Sequence, residues 1–356
     1  MKSSINITKI RWGMIGCGDV TEKKSGPGFQ KAKNSELIAV MRRNGKLAKD
    51  YARRHNVPKW YDDADKLIND SEVDAVYIAT PPSSHMEYTI KVAQAGKPVY
   101  VEKPMACSFA ECQQMIDVCE KAAAPLFAAY YRRALPRFLK LKAIIERGDI
   151  GDIRAVNVRF YQKPSKADQS GEYHWRIDPE IAGCGYFCDL GSHMIDLVQF
   201  FLGEICEASG FAENQAGLYE VEDIISANFK FENGVLGSGT WCFTANENLD
   251  ETEIVGSKGK ISYATFGDLP FIVHTKHRRK EYKIHHPDHI QQPLIQTIVD
   301  ELTGTGQCPS TGKTAATTNW VIDKVFGRIK KNGTSGFSVE SYPSHLSETG
   351  LQFGNY

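Results

Sequence analysis

Lys103, Asp189 and His193 are the side chains in this 356-residue sequence whose types and spacing suit proton transfer. Asp189 and His193 stand four residues apart in an apolar, helix-like stretch, so both are expected on one face. A carboxylate beside an imidazole orients the ring and raises its proton affinity, which a proton shuttle to a carbinol oxygen requires. Asp196 continues the stripe, and Leu190, Ile195, Leu197, Val198 and Phe201 can pack the other side. Lys103 follows the apolar run Val99 to Val101, hence a strand end, where an ammonium can stabilise negative charge on a reacting oxygen. The competing readings are structural: an Asp/His pair is often a satisfied ion pair, and a Lys-Pro after a strand is often a turn. A metal reading of Asp189 and His193 lacks a third ligand at an obvious spacing. His285, His286 and His289 are a second metal candidate; a polar loop with His289 near the substrate mouth is the preferred reading.

A second chemistry is phosphate binding. The run Ile10 to Ile15 enters Gly16-Cys17-Gly18, and glycines after a first strand let a pyrophosphate approach the backbone. Asp19 and Val20 then offer the first free helical N–H groups. Thr21 stands where a third glycine is usual, and Gly26-Pro27-Gly28 predicts a first helix that starts late. The second strand ends in Met41-Arg42-Arg43, where an NAD enzyme usually has an acid for the ribose 2′-hydroxyl. Arg42 and Arg43 would instead suit a 2′-phosphate, one gripping it and the other stacking on adenine. NADP(H) is therefore favoured and NAD(H) possible. The competing reading is two solvated surface arginines.

These groups need a scaffold. Ile10 to Ile15, Leu37 to Met41, Ala75 to Ala79, Val99 to Val101 and Leu126 to Ala129 are continuous apolar runs, as in strands buried on both faces of a parallel sheet. Helix-like segments alternate with them: Leu47 to His55, His85 to Ala95, and Phe109 to Ala123 with Ser108 as N-cap and Glu111 in the capping-box position. The pattern is a doubly wound α/β fold. After about Ile150 the texture changes to longer strands: Arg154 to Tyr161, Asp223 to Phe231, Val235 to Phe243, Glu253 to Val255 and Lys260 to Tyr263. Asn233-Gly234 and Ser257-Lys258-Gly259 are turn signals between them. A helix is expected near Tyr186 to Leu202, and two more, Gln291 to Leu302 and Thr314 to Lys330, should pack back on the body. Two domains are expected, residues 1–131 for a dinucleotide and 132–356 for substrate and assembly. The last 25 or so residues are polar and Ser/Gly-rich, an expected loose extension.

Bulk properties exclude other classes. Hydrophobic residues are 42%, charged residues 24% and formal net charge is +0, an ordinary globular balance that argues against nucleic acid as partner. No apolar run reaches the roughly 20 residues of a membrane helix, and Met1 to Lys9 is polar, so a cytoplasmic protein is expected. The nine cysteines form no C-x-x-C pair and are expected as reduced, mostly buried thiols.

Three further stretches, in order, carry a resemblance. They are Ala79-Thr80-Pro81-Pro82-Ser83-Ser84-His85, then Val101-Glu102-Lys103-Pro104, then Ala182-Gly183-Cys184-Gly185 followed by Asp189-Leu190-Gly191-Ser192-His193-Met194-Ile195-Asp196. With the N-terminal glycines they resemble the glucose-fructose oxidoreductase and inositol dehydrogenase (Gfo/Idh/MocA) family from about residue 10 to about residue 330. Cys184 and Thr21 depart from the usual glycines. The resemblance implies an N-terminal Rossmann domain, a C-terminal α/β domain with an open, mostly antiparallel sheet, and a nicotinamide between them. It implies that Lys103, Asp189 and His193 form the catalytic set, and that Thr80, Pro81, Pro82, His85, Glu102 and Lys103 join Gly16, Gly18, Asp19, Val20, Arg42 and Arg43 at the cofactor. Tyr131 and Arg132 follow the sixth strand and should reach the cleft; Trp175 and Arg176 hold a position that faces substrate in relatives.

The expected activity is hydride transfer between NADP(H), or NAD(H), and a carbinol or ketone of a sugar or polyol, with His193 as proton donor or acceptor. Alternatives are a cofactor-retaining glycoside-cleaving relative and a non-catalytic NADP(H) sensor. In the resembled family such sheets pair face to face, so the resemblance implies a homodimer or homotetramer.

Overall fold

The computed structural model describes residues 9–329. The expected C-terminal extension lies outside the described residues. The first half is β1 (Ile10–Ile15), α1 (Gly26–Lys31), β2 (Ser35–Met41), α2 (Gly45–Arg54), β3 (Lys59–Tyr61), α3 (Ala64–Ile68), β4 (Ala75–Ile78), α4 (His85–Gln94), β5 (Val99–Val101), α5 (Phe109–Lys121) and β6 (Leu126–Ala128). The strands form a parallel sheet in the order β3-β2-β1-β4-β5-β6. Their continuous apolar runs are explained by burial on both faces. Trp12 and Met14 enter one core, and Ile15 enters the core on the opposite face. Ser108 caps α5 through its hydroxyl as expected, but Glu111 accepts from the Cys107 N–H (2.9 Å).

The late-starting first helix is a wrong expectation. Helical backbone begins at Asp19, passes through a π turn at Thr21–Ser25 and continues into α1. Gly-Pro-Gly lies inside this helix. The Thr21 hydroxyl donates to the Gly18 carbonyl (2.7 Å), and the Tyr51 hydroxyl donates to the Thr21 carbonyl (2.9 Å). The wide turn presents the Thr21 carbonyl beside Gly26, and Pro27, which has no N–H, costs nothing at the first position after it.

The second half begins with α6 (Pro136–Glu146), β7 (Ile153–Tyr161), α7 (Lys166–Ser170), α8 (Pro179–Ala182) and α9 (Ser192–Leu202). It continues through β8 (Ile205–Glu213), β9 (Ile224–Phe231), β10 (Leu236–Cys242), β11 (Leu249–Gly256), β12 (Gly259–Tyr263), β13 (Phe271–Thr275), β14 (Arg278–Tyr282), α10 (Gln292–Leu302) and α11 (Gly312–Val325). Eight strands pair in the order β14-β13-β12-β11-β7-β10-β9-β8, antiparallel except β7 with β10. Alternation along β7 buries Val156, Val158 and Phe160 and exposes Asn157 and Arg159 on an open face. Trp241 is core, whereas Tyr161 is only half-buried.

Strands β8, β13 and β14 carry no clear sequence signal. β8 offers small inward residues, and a Cβ at Gly210 would come within 2.9 Å of Val325 in α11. β14 is a charged edge strand, Arg278 to Tyr282, as edges that resist further pairing tend to be. α10 approaches α1 so closely that Gly28 faces Ile295 and Gln292, and Gly312 at the start of α11 faces Leu126 of β6.

The cysteine expectation is corrected. Cys184 and Cys188 form a disulfide, with Cα atoms 5.1 Å apart. The Cys188 N–H donates to the Cys184 carbonyl (3.4 Å) across a turn in which Gly185 has φ +58°, and this i, i+4 spacing is the signal that C-x-x-C counting overlooks. Cys206 is exposed, and Cys107 and Cys242 are half-buried.

Candidate active site

A cavity of about 870 Å³ opens where β1, β2, β4, β5 and β6 end, and the second half supplies its other wall. This is the carboxyl edge, where parallel sheets leave loop ends and helix N-termini free for ligands. Gly16 sits there with φ +91°, and a Cβ on it would lie 2.9 Å from the Ala79 carbonyl group. Both the conformation and the close approach of the two loops require glycine. Gly18, Asp19 and Val20 line the same end. Arg42 and Arg43 line the end beyond β2, and the Arg42 guanidinium reaches toward the Cys17 carbonyl (3.5 Å). Leu47 of α2 and Tyr88 of α4 join them, and sequence spacing did not single them out.

Thr80, Pro81, Pro82, Glu102 and Lys103 line the cavity as expected, but His85 does not. His85 is fully buried, with ring nitrogens 3.0 Å from the Pro104 carbonyl and 2.7 Å from the Thr80 carbonyl. It ties the loop after β4 to the loop after β5. Glu102 faces the cavity, yet its carboxylate already accepts from the Tyr77 hydroxyl (2.5 Å) and the Gln291 amide (2.7 Å). That pairing couples β5 to the start of α10.

Lys103 donates to the main-chain carbonyl of Asp189 (2.7 Å) and to its carboxylate. Arg176 donates to the other carboxylate oxygen (3.0 Å). Burial pushes the Asp189 carboxyl up, but Lys103 and Arg176 outweigh it and hold the group below its ordinary value. Asp189 therefore serves two cations and makes no hydrogen bond to His193, contrary to the expected pair. Residues Phe187–Gly191 form a π turn ahead of α9, so the two side chains no longer follow regular α-helical spacing. Gly191 permits it, since a Cβ there would lie 2.5 Å from the Phe187 ring. Asp196 leaves the stripe too, and its buried carboxylate pairs with Arg133 at 2.8 Å.

His193 is 2% exposed and its Nδ1 has no hydrogen-bond partner. Tyr131, Phe266 and Tyr130 surround the ring, with centroids at 5.2, 5.8 and 5.9 Å. Burial first, then the charges of Lys103, Arg132 and Lys24, push its pKa well below 6.5. This reverses the expected rise in proton affinity. The ring is thereby disfavoured as a cation, which leaves a lone pair free to accept a proton, at reduced basicity.

Tyr131 and Arg132, in the turn after β6, reach the cavity as expected. So do Trp175 and Arg176, whose guanidinium lies 4.5 Å from the Trp175 ring centre. Their loop is held from behind, where the buried Asp168 of α7 accepts from the Ser165 N–H (2.7 Å) and from the Tyr186 hydroxyl (2.8 Å), beside His174 (3.1 Å). His289 falls short of the expected mouth position: its ring nitrogen lies 2.8 Å from the Lys23 carbonyl, and Ile290 and Gln291 line the cavity instead. Among the described residues no three His, Cys, Asp or Glu side chains converge on a metal position. Phe266 and Lys24 are site residues that sequence reasoning missed; Phe266 sits in a segment with no local motif, and Lys24 lies between the glycine motifs on either side of it.

Residues 10–130 match the oxidoreductase family with NAD-binding Rossmann fold, and residues 138–262 match the GFO/IDH/MocA C-terminal domain. Oxidoreductase P35 of Formosa agariphila is 38% identical over 323 residues, 90% of this chain and 99% of that one. Levoglucosan dehydrogenase of Pseudarthrobacter phenanthrenivorans is 31% identical over 246 residues, 62% of this chain and 63% of that one. The aldose-aldose oxidoreductase of Caulobacter crescentus, solved with glycerol, shares the fold with a TM-score of 0.80 at 22% identity, over 90% of this chain and 97% of that one.

Proposed function

The chain belongs to the GFO/IDH/MocA family and is an NAD(P)-dependent oxidoreductase acting on CH–OH groups; from that premise we propose that it oxidises a carbinol, or reduces the matching ketone, of a sugar or polyol, with His193 moving the proton. The observation that carries this reading is the buried His193, with its Nδ1 unpartnered, lining one cavity with the Lys103–Asp189 pair and Gly16. Named relatives include a levoglucosan dehydrogenase and a 1,5-anhydro-D-fructose reductase, which supports a sugar-like substrate.

The residues fit a dinucleotide. The approach of Gly16 to Ala79 leaves bare backbone toward the cavity, and the helix from Asp19 turns its free N–H groups to the same place. A bound nicotinamide would supply hydride exchange at carbon. Everything else falls to the chain. Lys103, fixed by Asp189, would donate to the reacting oxygen and stabilise negative charge there. His193 would take the carbinol proton in oxidation and return it in reduction. Arg176 would hold Asp189 from the other side while Trp175 offers an apolar face to a sugar ring.

We assign NADP(H) over NAD(H). Arg42 and Arg43 line the end beyond β2, and Met41, Arg42, Arg43 and Asn44 put no carboxylate there. The reading divides the chain at residue 131, where the parallel sheet ends, and sets the enzyme in the cytoplasm with its cofactor pool. It also pairs two copies through the open sheet face, which exposes Phe211 and Leu236. No helix among the described residues is long and apolar enough to cross a membrane. The test is a panel of polyols, aldoses and keto-sugars with each cofactor. Absence of any cofactor turnover across the panel, with cofactor bound, would favour the NADP(H)-sensor alternative.

A further inference from the structure

Three arginines are buried in one short stretch, and one of them has no hydrogen-bond or ion-pair partner among the described residues. Arg133 pairs with Asp196 and donates to the Pro309 carbonyl (3.0 Å). Arg137 donates to the Gly267 and Ala264 carbonyls, both at 3.2 Å. Arg132 is 3% exposed, yet its Nε and Nη1 meet no acceptor, and no carboxylate among the described residues pairs with it. Its guanidinium lies over Phe266 (4.5 Å) and Tyr131 (5.1 Å). Those are two of the rings that flank His193, so the charge sits against the reacting centre and lines the same cavity.

A buried guanidinium without an anion is costly, because aromatic faces return only part of the lost hydration. The local charge sharpens the imbalance. Lys24, Lys103, Arg132 and Arg176 line this end; against them stand Asp189, already shared by two of them, and Glu102, whose carboxylate is taken by Tyr77 and Gln291. A neutral polyol would leave Arg132 unbalanced; an anionic group would supply the missing charge and accept from the planar fork in pairs.

We propose that the substrate is an anionic sugar, and that Arg132 binds its charged group while His193 faces the carbinol. The proposal rests on the dehydrogenase reading for the carbinol but not for the anion. Hexuronates and aldonates carry such a group as a carboxylate, and sugar phosphates carry it as an ester.

The test is calorimetric binding to the NADP(H)-loaded protein, alongside turnover. Matched sets are D-glucuronate, D-gluconate and D-glucose 6-phosphate against D-glucose, with the galactose counterparts. At least one anion should bind on the order of tenfold or more tightly than its neutral parent, and added salt should erode the advantage. Arg132→Gln should abolish the preference and raise KM for that anion far more than it changes kcat. Arg132→Lys should keep part of it, and should stay folded if the glutamine variant does not. Tight carboxylates name a sugar acid, and tight phosphates name an ester. Neutral sugars binding equally well, no anion binding at all, or a preference that survives Arg132→Gln each overturn the proposal. A bound anion that leaves nicotinamide absorbance unchanged would sink the dehydrogenase reading instead and leave the anion site standing.

Discussion

Lys103 holds Asp189 at two points, the main-chain carbonyl (2.7 Å) and the carboxylate, across 86 residues of sequence. A carboxylate four residues from His193 thereby neutralises a lysine from the other half of the chain. What remains at His193 is burial and positive charge, and both disfavour the imidazolium.

His193→Ala should lower kcat by about a hundred- to ten-thousandfold while the cofactor Kd stays within a factor of two or so. Stopped-flow turnover and quenching of nicotinamide fluorescence measure the two separately. Equal loss of both would mean that the ring supports the fold and not the chemistry.

Lys103→Met gives a signed prediction on the same ring. After burial, Lys103 is the largest influence holding the imidazole down. Its removal should raise the His193 pKa toward 6.5, seen as movement of the ring resonances in an NMR titration, while turnover falls. Arg132→Gln should move it in the same direction. A pKa that stays put in both variants would leave burial as the sole cause.

Stability should fall as pH drops below about 6.5. His193, His85 and His286 are all held below that ordinary value, burial being the first cause in each. Below 6.5 the unfolded chain therefore binds more protons than the folded one, and stability rises with pH across that window. Each such histidine contributes a slope of up to about 1.4 kcal/mol per pH unit. Melting curves between neutral and mildly acidic pH check this. His193→Gln should flatten the dependence; a flat wild-type profile would contradict it.

Much of this was legible because it is local. Continuous apolar runs gave the parallel strands, Gly16 announced the tight first loop, and Asn233-Gly234 gave the hairpin, where Gly234 has φ +85°. What sequence hid depends on distant partners. Asp189 and His193 look like a pair until the π turn and Lys103 separate them. Gly26-Pro27-Gly28 looks like a break until Tyr51 shows why the helix widens there. Phe266 follows β12 with no motif around it, and only the fold brings it to His193.

Cofactor preference rests on one strand end. Arg42→Ala should weaken NADPH binding roughly ten- to a hundredfold and leave NADH nearly unchanged, since only a 2′-phosphate uses the guanidinium. Titrations with both reduced cofactors decide it. Equal weakening of the two would return Arg42 to an ordinary surface residue near Cys17.

Gly18, just before the first helix, and Gly26 and Gly28 within it should separate steric from functional demands. A Cβ at Gly26 would lie 2.3 Å from both the Thr21 carbonyl and the Tyr51 hydroxyl, and the carbonyl is backbone. Gly26→Ala should therefore cost about 1–3 kcal/mol by forcing the π turn apart. At Gly28 the nearest atom is the tip of Ile295, at 3.0 Å, which can turn aside, so Gly28→Ala should cost less. At Gly18 the nearest atom is the Gly16 carbonyl oxygen at 3.9 Å, so the free protein should tolerate alanine with little change in Tm. Cofactor binding should reverse that order: Gly18→Ala places a methyl where a pyrophosphate would approach and should weaken NADPH binding most. Melting of the free protein and cofactor titration of the same three variants make the comparison. If Gly18→Ala binds cofactor like wild type, the phosphate lies elsewhere in the cavity.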